Sequence, residues 1–270
     1  MSLKLPQVEI GIIGGSGFYK FLTEAQEIDL ETDWGKPSDK ITIGQIEGKP
    51  VAFLPRHGRG HVYPPHKIPY LANLAALKKL GVKYLIAPAS VGSLQKEIKA
   101  GDFVISDQFF DRTRGRADTY YNGPSVVHIS GTQPYCQTLR QIASECCKKL
   151  KYSYHPQGTV VVINGPRFST AAESIWFTKM GFSVVGMTQY PEVVLAREQE
   201  IHYLNISLVT DYDVGLVAEE KLPSVEISTV LTTFKNNIER VKNLILEIIK
   251  YLPPQKFICD CQETLKKSKI

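Results

Sequence analysis

Val8-Glu9-Ile10-Gly11-Ile12-Ile13 runs directly into Gly14-Gly15-Ser16-Gly17. The apolar residues read as a buried first strand, and the glycines end it. Glycines let backbone N–H groups approach an anion closely, and Ser16 adds a hydroxyl donor. The spacing rules out three common loops. Lys20 stands where GxGxxG needs its last glycine, no Gly-Lys-Ser/Thr closes a P-loop, and Phe18 replaces the last glycine of a GxSxG elbow. What is left is an anion loop of another kind, or a plain tight turn.

Outward from this strand, strands and helices alternate. Ile41 to Ile46 and Val51 to Leu54 flank Gly48 and read as a strand pair. Lys67 to Leu80 has helical spacing and stops at Gly81, a glycine cap. Val82 to Ala87 and Phe103 to Ile105 read as strands. Residues 111–133 form a polar loop rich in Gly, Arg and Tyr, and Tyr135 to Leu150 is helical in period. A strand at Thr159 to Ile163, a helix at Thr170 to Met180, a strand at Val184-Val185, a helix at Glu192 to His202 and a strand at Leu204 to Val209 follow. A last helix starts at Pro223 and carries Val230, Leu231, Phe234, Ile238, Val241, Leu244, Ile245 and Ile248 on one face, up to Pro253-Pro254. Such alternation argues for one α/β domain with a largely parallel or mixed sheet. It is expected over residues 1–255, with 256–270 as a polar C-terminal tail.

In 270 residues, 43% are hydrophobic and 22% charged, as in an ordinary globular enzyme, and the net charge is +5. The basic residues are spread out rather than gathered in a stripe, so no nucleic-acid partner is expected. No apolar run reaches the length of a membrane span. The start, Met1 to Pro6, has no stretch of signal-peptide length, so a cytoplasmic location is expected. Of five cysteines, Cys136, Cys146 and Cys147 fall in or at the start of a helix and read as buried small residues. In sequence, Cys259-Asp260-Cys261 has no second Cys/His pair nearby, and reads as a disordered or redox-active terminal pair rather than half of a metal site. No metal is expected.

The chemistry gathers at strand ends. Pro55-Arg56-His57-Gly58-Arg59-Gly60-His61, with His66 beyond, offers an Arg fork and a His donor to an oxyanion. Structural roles, or a metal held by the histidines, are the alternatives. Ala89-Ser90-Val91-Gly92-Ser93 and Thr188 also follow strands, where open α/β sheets bind ligands. Asp211 and Asp213 lie two apart after a strand, so both can face one ligand. Burial and mutual repulsion raise carboxyl pKa values, which leaves one acid protonated near neutrality; the alternative is a loop cap in water.

Taken together, Ile12 to Gly17, Leu54 to Gly58, Ser90 to Ser93, Asp107-Gln108-Phe109, Gly165-Pro166-Arg167-Phe168-Ser169, Gly186-Met187-Thr188, Pro191-Glu192 and Thr210-Asp211-Tyr212-Asp213 resemble the motifs of the 5′-methylthioadenosine phosphorylases. That family lies within the purine nucleoside phosphorylase superfamily. The motifs occur in family order across about residues 10–250. The resemblance implies a distorted mixed β-sheet, partly barrel-like and flanked by helices, and a homotrimer or a dimer of trimers. It implies phosphorolysis of 5′-methylthioadenosine to adenine and 5-methylthioribose 1-phosphate in methionine salvage, with phosphate as co-substrate and no cofactor. Adenosine, methylthioinosine, inosine and guanosine are the alternative substrates.

The resemblance also assigns roles. Ser16, Arg56, His57, Ala89, Ser90 and Thr188 would bind phosphate. Met187 would face the ribose hydroxyls, and Phe168 would stack on the purine. Asp211 and Asp213 would face the base edge, with Asp211 giving the proton that purine N7 needs on leaving. His128 would reach the 5′ group in a neighbouring subunit, and Ile227 would line that pocket. Three positions depart from the family pattern: Asn164 for Glu, Ala171 for Arg, and Ala89 for a hydroxyl residue.

Overall fold

The computed structural model describes residues 5–15, 22–216 and 227–268, without the side chains of residues 227–236 and 267. In chain order the strands are β1 (Ile10–Gly14), β2 (Thr23–Ile28), β3 (Ile41–Ile46), β4 (Lys49–Pro55), β5 (Tyr84–Ser93), β6 (Phe103–Val104), β7 (Gln108–Arg112), β8 (Tyr154–His155), β9 (Thr159–Ile163), β10 (Val184–Gly186) and β11 (His202–Tyr212). The longer helices are α1 (Tyr70–Lys79), α2 (Gln137–Lys149), α3 (Ala171–Lys179), α4 (Gln189–Glu198) and α5 (Ile227–Lys250).

Successive side chains along a strand point to opposite faces, and each face of this sheet carries its own core. Ile13, Leu54 and Tyr203 pack with Leu74 and Leu77 of α1 and Val193 of α4. Their neighbours Ile12, Phe53 and Leu204 pack on the other side with Leu139 of α2 and Val241 and Leu244 of α5. The sheet is therefore the middle layer of one α/β domain.

The strand order is β2-β3-β4-β1-β5-β10-β9-β7, with β11 on β5 and β6, and β8 on β6. It mixes parallel and antiparallel pairs and does not close: β2, β7 and β8 each pair on one edge only. β5 is the hub. Tyr84–Ile86 pair with β1, the whole strand pairs with β11, and Gly92 and Ser93 pair with β10 after β1 has ended. The β3–β4 turn has positive φ at Glu47 (50°) and Gly48 (70°), as a two-residue hairpin with right-handed twist requires.

Several boundaries differ from expectation. α1 starts at Tyr70, because Pro69 precedes it and Pro65–Lys67 forms a separate 3₁₀ turn. α4 stops at Glu198 and the chain reverses at Glu200 (φ 54°), so His202 opens β11 instead of ending a helix. The expected Pro223 start of the last helix lies outside the described residues. The tail folds back onto the body: Cys261, Thr264 and Ser268 are buried. Among the described residues no helix is long and apolar enough to cross a membrane.

Candidate active site

Strands β4, β1, β5 and β11 run parallel in that spatial order, so their carboxyl ends share one edge of the sheet. Gly14 pairs with Pro55, which sets the glycine loop beside Arg56 and His57. Ser16 itself lies outside the described residues. β10 arrives differently from the other strands. It is antiparallel to β5, with Val185 opposite Gly92, so its continuation carries Met187 and Thr188 back along Ser90 and Ala89. Thr188 is buried, and as N-cap of α4 its side chain makes no capping hydrogen bond. Ser90 is exposed and Ala89 half-buried.

The fork of Arg56 is engaged within the protein. Its side chain is buried and clamped: Nε donates to Glu192 Oε2 at 2.8 Å and Nη2 to Glu192 Oε1 at 3.0 Å. Nη2 also donates to the Ile13 carbonyl at 2.9 Å and Nη1 to the Pro88 carbonyl at 3.0 Å. Four of its five N–H groups are thus committed, and the two-pronged fork faces Glu192 rather than an open oxyanion site. A guanidinium this buried needs a carboxylate partner. Burial alone lowers its pKa, yet Glu192 outweighs that and raises it. Glu192 also accepts from the Tyr203 hydroxyl at 2.7 Å. Among the described residues one Nη1 N–H is left over.

His57 also differs from the donor expected. Its Nδ1 lies 2.8 Å from the Tyr63 carbonyl, which only accepts, so Nδ1 carries the hydrogen and Nε2 presents a lone pair. Burial, with Arg56 and the stacked His61 (centroids 4.0 Å apart), lowers its pKa to about 4. His57 is therefore neutral. The turn that presents it needs Gly58, whose φ is 73° and whose Cβ would come within 2.9 Å of the Ser38 carbonyl.

The acid pair sits where β5 and β11 slip register. Thr210 is the extra residue of a bulge between Val209 and Asp211, and Asp211 falls opposite Gly92. A Cβ on Gly92 would lie 3.4 Å from Asp211 Oδ2 and 3.6 Å from Asp213 Cβ, so both acids face the same glycine. Asp211 Oδ1 accepts from the Thr210 hydroxyl at 2.6 Å. Burial, with the charge of Asp213, still raises its pKa to about 6. Asp213 is more deeply buried and also raised by burial, and its Oδ2 has no partner among the described residues.

Phe168 is 43% exposed. Its loop is fixed from behind. Thr170 and Glu173 form a reciprocal capping box on α3, and Arg167 pairs with Glu173 at 2.8 Å. Asn164, one of the departures, accepts from the Arg114 N–H at 3.3 Å, and Ala171 opens α3. His128 is exposed, with its N–H on the Ser268 carbonyl at 2.9 Å. The side chain of Ile227 lies outside the described residues.

Two features were not assigned from the sequence. In the sequence Glu192 stands only within a matching stretch, and a carboxylate in a helix gives no sign that it will meet an Arg. A buried network under Ala89 was unseen as well. Tyr135 donates to Gln189 at 2.6 Å, Gln189 to Ser207 at 3.0 Å, Ser207 to Asn205 at 2.8 Å, and Asn205 to the Ala87 carbonyl at 2.9 Å. Far from this edge, Cys136, His202, Cys259 and Cys261 converge, so the CxC pair has the Cys and His neighbours that sequence spacing did not reveal.

Known proteins resemble this chain over nearly its whole length. The S-methyl-5′-thioadenosine phosphorylase of Thermofilum pendens is 46% identical over 98% of this chain and 100% of its own. The purine nucleoside phosphorylase of Streptomyces coelicolor is 44% identical over 92% and 90%. Among solved structures, methylthioadenosine phosphorylase from Schistosoma mansoni in complex with adenine superposes with a TM-score of 0.89 at 35% identity, covering 96% of both chains. The family profile described as "Phosphorylase superfamily" spans residues 9–250, from the first strand through the last helix, and the chain belongs to that superfamily.

Proposed function

We propose that this chain cleaves 5′-methylthioadenosine with inorganic phosphate, releasing adenine and 5-methylthioribose 1-phosphate. The carrying observation is Asp211: a carboxyl raised to about 6, facing Gly92 at the sheet edge that also holds Thr188, Ser90 and His57. Phosphate sits among Ser16, the Ser90 and Thr188 hydroxyls and the free Nη1 N–H of Arg56. His57 Nε2 accepts the hydrogen of a protonated phosphate oxygen. Charge builds on the ribose as the glycosidic bond breaks, and phosphate stabilises it before bonding to C1′. Protonated Asp211 donates to N7 of the leaving base, and Asp213 positions the pair. A carboxyl also accepts from a 6-amino group, which favours adenine over 6-oxopurines. Phe168 covers the base and Met187 faces the ribose. The reaction needs no cofactor.

The relatives named for 5′-methylthioadenosine support this substrate. The Streptomyces relative, named for purine nucleosides, supports a wider range as the second reading. A cytoplasmic homotrimer or dimer of trimers fits, with His128 and Ile227 completing the 5′ pocket across subunits.

Adenine release from 5′-methylthioadenosine, with and without phosphate, tests the reaction. Release only with phosphate is expected, and release without it makes the protein a hydrolase. Comparing kcat/KM for 5′-methylthioadenosine, adenosine, inosine and guanosine ranks the substrates. A preference for inosine overturns the assignment.

A further inference from the structure

At the start of β11, opposite the acid pair, Cys136, His202, Cys259 and Cys261 bring their ligand atoms within 4.8 Å of one another. Cys136 Sγ lies 3.3 Å from His202 Nδ1 and 3.5 Å from Cys259 Sγ, and Cys259 Sγ lies 3.4 Å from His202 Nδ1. A tetrahedral zinc with bonds of about 2.3 Å to sulfur and 2.0–2.1 Å to nitrogen has S···S edges of about 3.8 Å and S···N edges of about 3.6 Å. The three edges among Cys136, His202 and Cys259 fall just inside these values, and Cys261 Sγ lies within 4.8 Å of each of them. All five cysteines are free thiols.

The ligands come from rigid, separate pieces. Cys136 caps α2, His202 opens β11, and the tail supplies the other two. The His202 ring stacks with Tyr84 and with Phe257, at centroid distances of 5.3 and 5.0 Å, and those two rings stack on each other at 6.5 Å. This stacking aims Nδ1 inward, while Nε2 has no partner among the described residues. The surroundings suit thiolates. The Thr138 hydroxyl donates to Cys259 Sγ at 3.2 Å, and buried Arg197 donates to Cys261 Sγ at 3.5 Å. Three thiolates and one Zn²⁺ leave one net negative charge beside Arg197, which also pairs with Asp260 at 3.2 Å.

We propose that Cys136, His202, Cys259 and Cys261 form a structural zinc site that fastens the C-terminal tail to the body. Binding deprotonates the three thiols and releases their protons to solvent, with no change of oxidation state. The ion is structural because His202 and Asp211 lie nine residues apart on one strand, about 30 Å. All four ligand positions are filled by protein, leaving none for a reactant.

The test is metal analysis of the full chain, purified under reducing conditions from zinc-supplied cells and freed of loose metal. About one zinc per chain is expected, falling below about a tenth in Cys259→Ser and in His202→Gln, while Cys146→Ser on α2 keeps it. Cobalt(II) added to the stripped protein should give the visible bands of a four-coordinate thiolate site, weaker when Cys261 is Ser. Because the tail variants can be judged for folding by their phosphorolysis rate, loss of zinc with activity retained is a direct result. Substoichiometric zinc in the folded wild-type chain overturns the site. So does a chain lighter by two hydrogens, in which two of these thiols have joined as a disulfide.

Discussion

Arg56 and Glu192, 136 positions apart, meet as a buried two-pronged ion pair with N–O distances of 2.8 and 3.0 Å. The pair joins the end of β4 to the first turn of α4, and so sets the distance between the His57 turn and Thr188. Removing one partner strands a charge in the core, so Glu192→Gln should destabilise the protein by about 3–5 kcal/mol. Urea unfolding of both proteins measures this. A change under about 1 kcal/mol would show that water reaches the guanidinium.

Asp211→Asn should lower kcat by about 10²–10⁴ with little change in KM, because an amide holds the base edge but gives no proton to N7. Steady-state kinetics decides it, and equal small changes in both constants would remove Asp211 from the acid role.

The same substitution has a stability signature of opposite sign. Asp211 is raised from 3.8 to about 6 in the fold. The folded state therefore binds this proton more tightly than the unfolded state does. Its contribution is complete below about pH 4 and is lost as pH rises through about 6, where the ionised carboxylate costs up to about 3 kcal/mol. Asp211→Asn should gain stability over wild type at pH 8, with the gap closing towards pH 4. Parallel melting curves across that range check it. On the kinetic side, kcat/KM of the wild type should fall above the upper pKa of the acid pair.

His57 is neutral over the working range, with Nε2 as an acceptor. His57→Ala should raise the KM for phosphate by about 10- to 100-fold, the worth of one hydrogen bond to a charged group. The KM for nucleoside should barely move. Varying phosphate at saturating nucleoside isolates the effect.

Gly92 is the surface against which the acids are aligned. Its added methyl would meet Val185 at 3.3 Å and Asp211 Oδ2 at 3.4 Å. Gly92→Ala should therefore fold, yet lose about tenfold or more in kcat, since small displacements of a catalytic group are costly. A melting curve alongside the rate separates the two effects.

What could be read in the chain follows from how local the signal is. β1, β3, β4, α2, α3 and β9 announce themselves by period, and Gly14 and Gly181 mark the ends of β1 and α3. β2 does not: Thr23 to Glu27 are all exposed, so no apolar alternation marks this edge strand. The second half of β5 is hidden by Pro88, which removes an N–H and argues against a central strand. Its carbonyl, however, is what Arg56 binds. The helix predicted through His202 failed because Ile201 and His202 continue an apolar pattern across a turn made by Glu200. In the site, strand-end residues were legible because strand ends are where ligands collect. The orientation of the Arg56 fork, the tautomer of His57 and the meeting of Cys136 with the tail depend on contacts across more than a hundred residues, to which spacing is blind, or on a single carbonyl such as that of Tyr63.

The hub role of β5 also governs how the molecule is made. Its inner half can pair with β1 as soon as residues 84–86 emerge, but its partners β10 and β11 are encoded about 100 residues later. At about 5–20 residues per second of synthesis, one edge of the central strand waits several seconds for its neighbour. During that wait the nascent chain displays the apolar run Leu85-Ile86-Ala87 with unsatisfied backbone groups, a template for pairing with the wrong chain. Newly made protein should therefore be most vulnerable to aggregation before β11 arrives, and overproduction at low temperature or with added chaperone should raise its soluble yield.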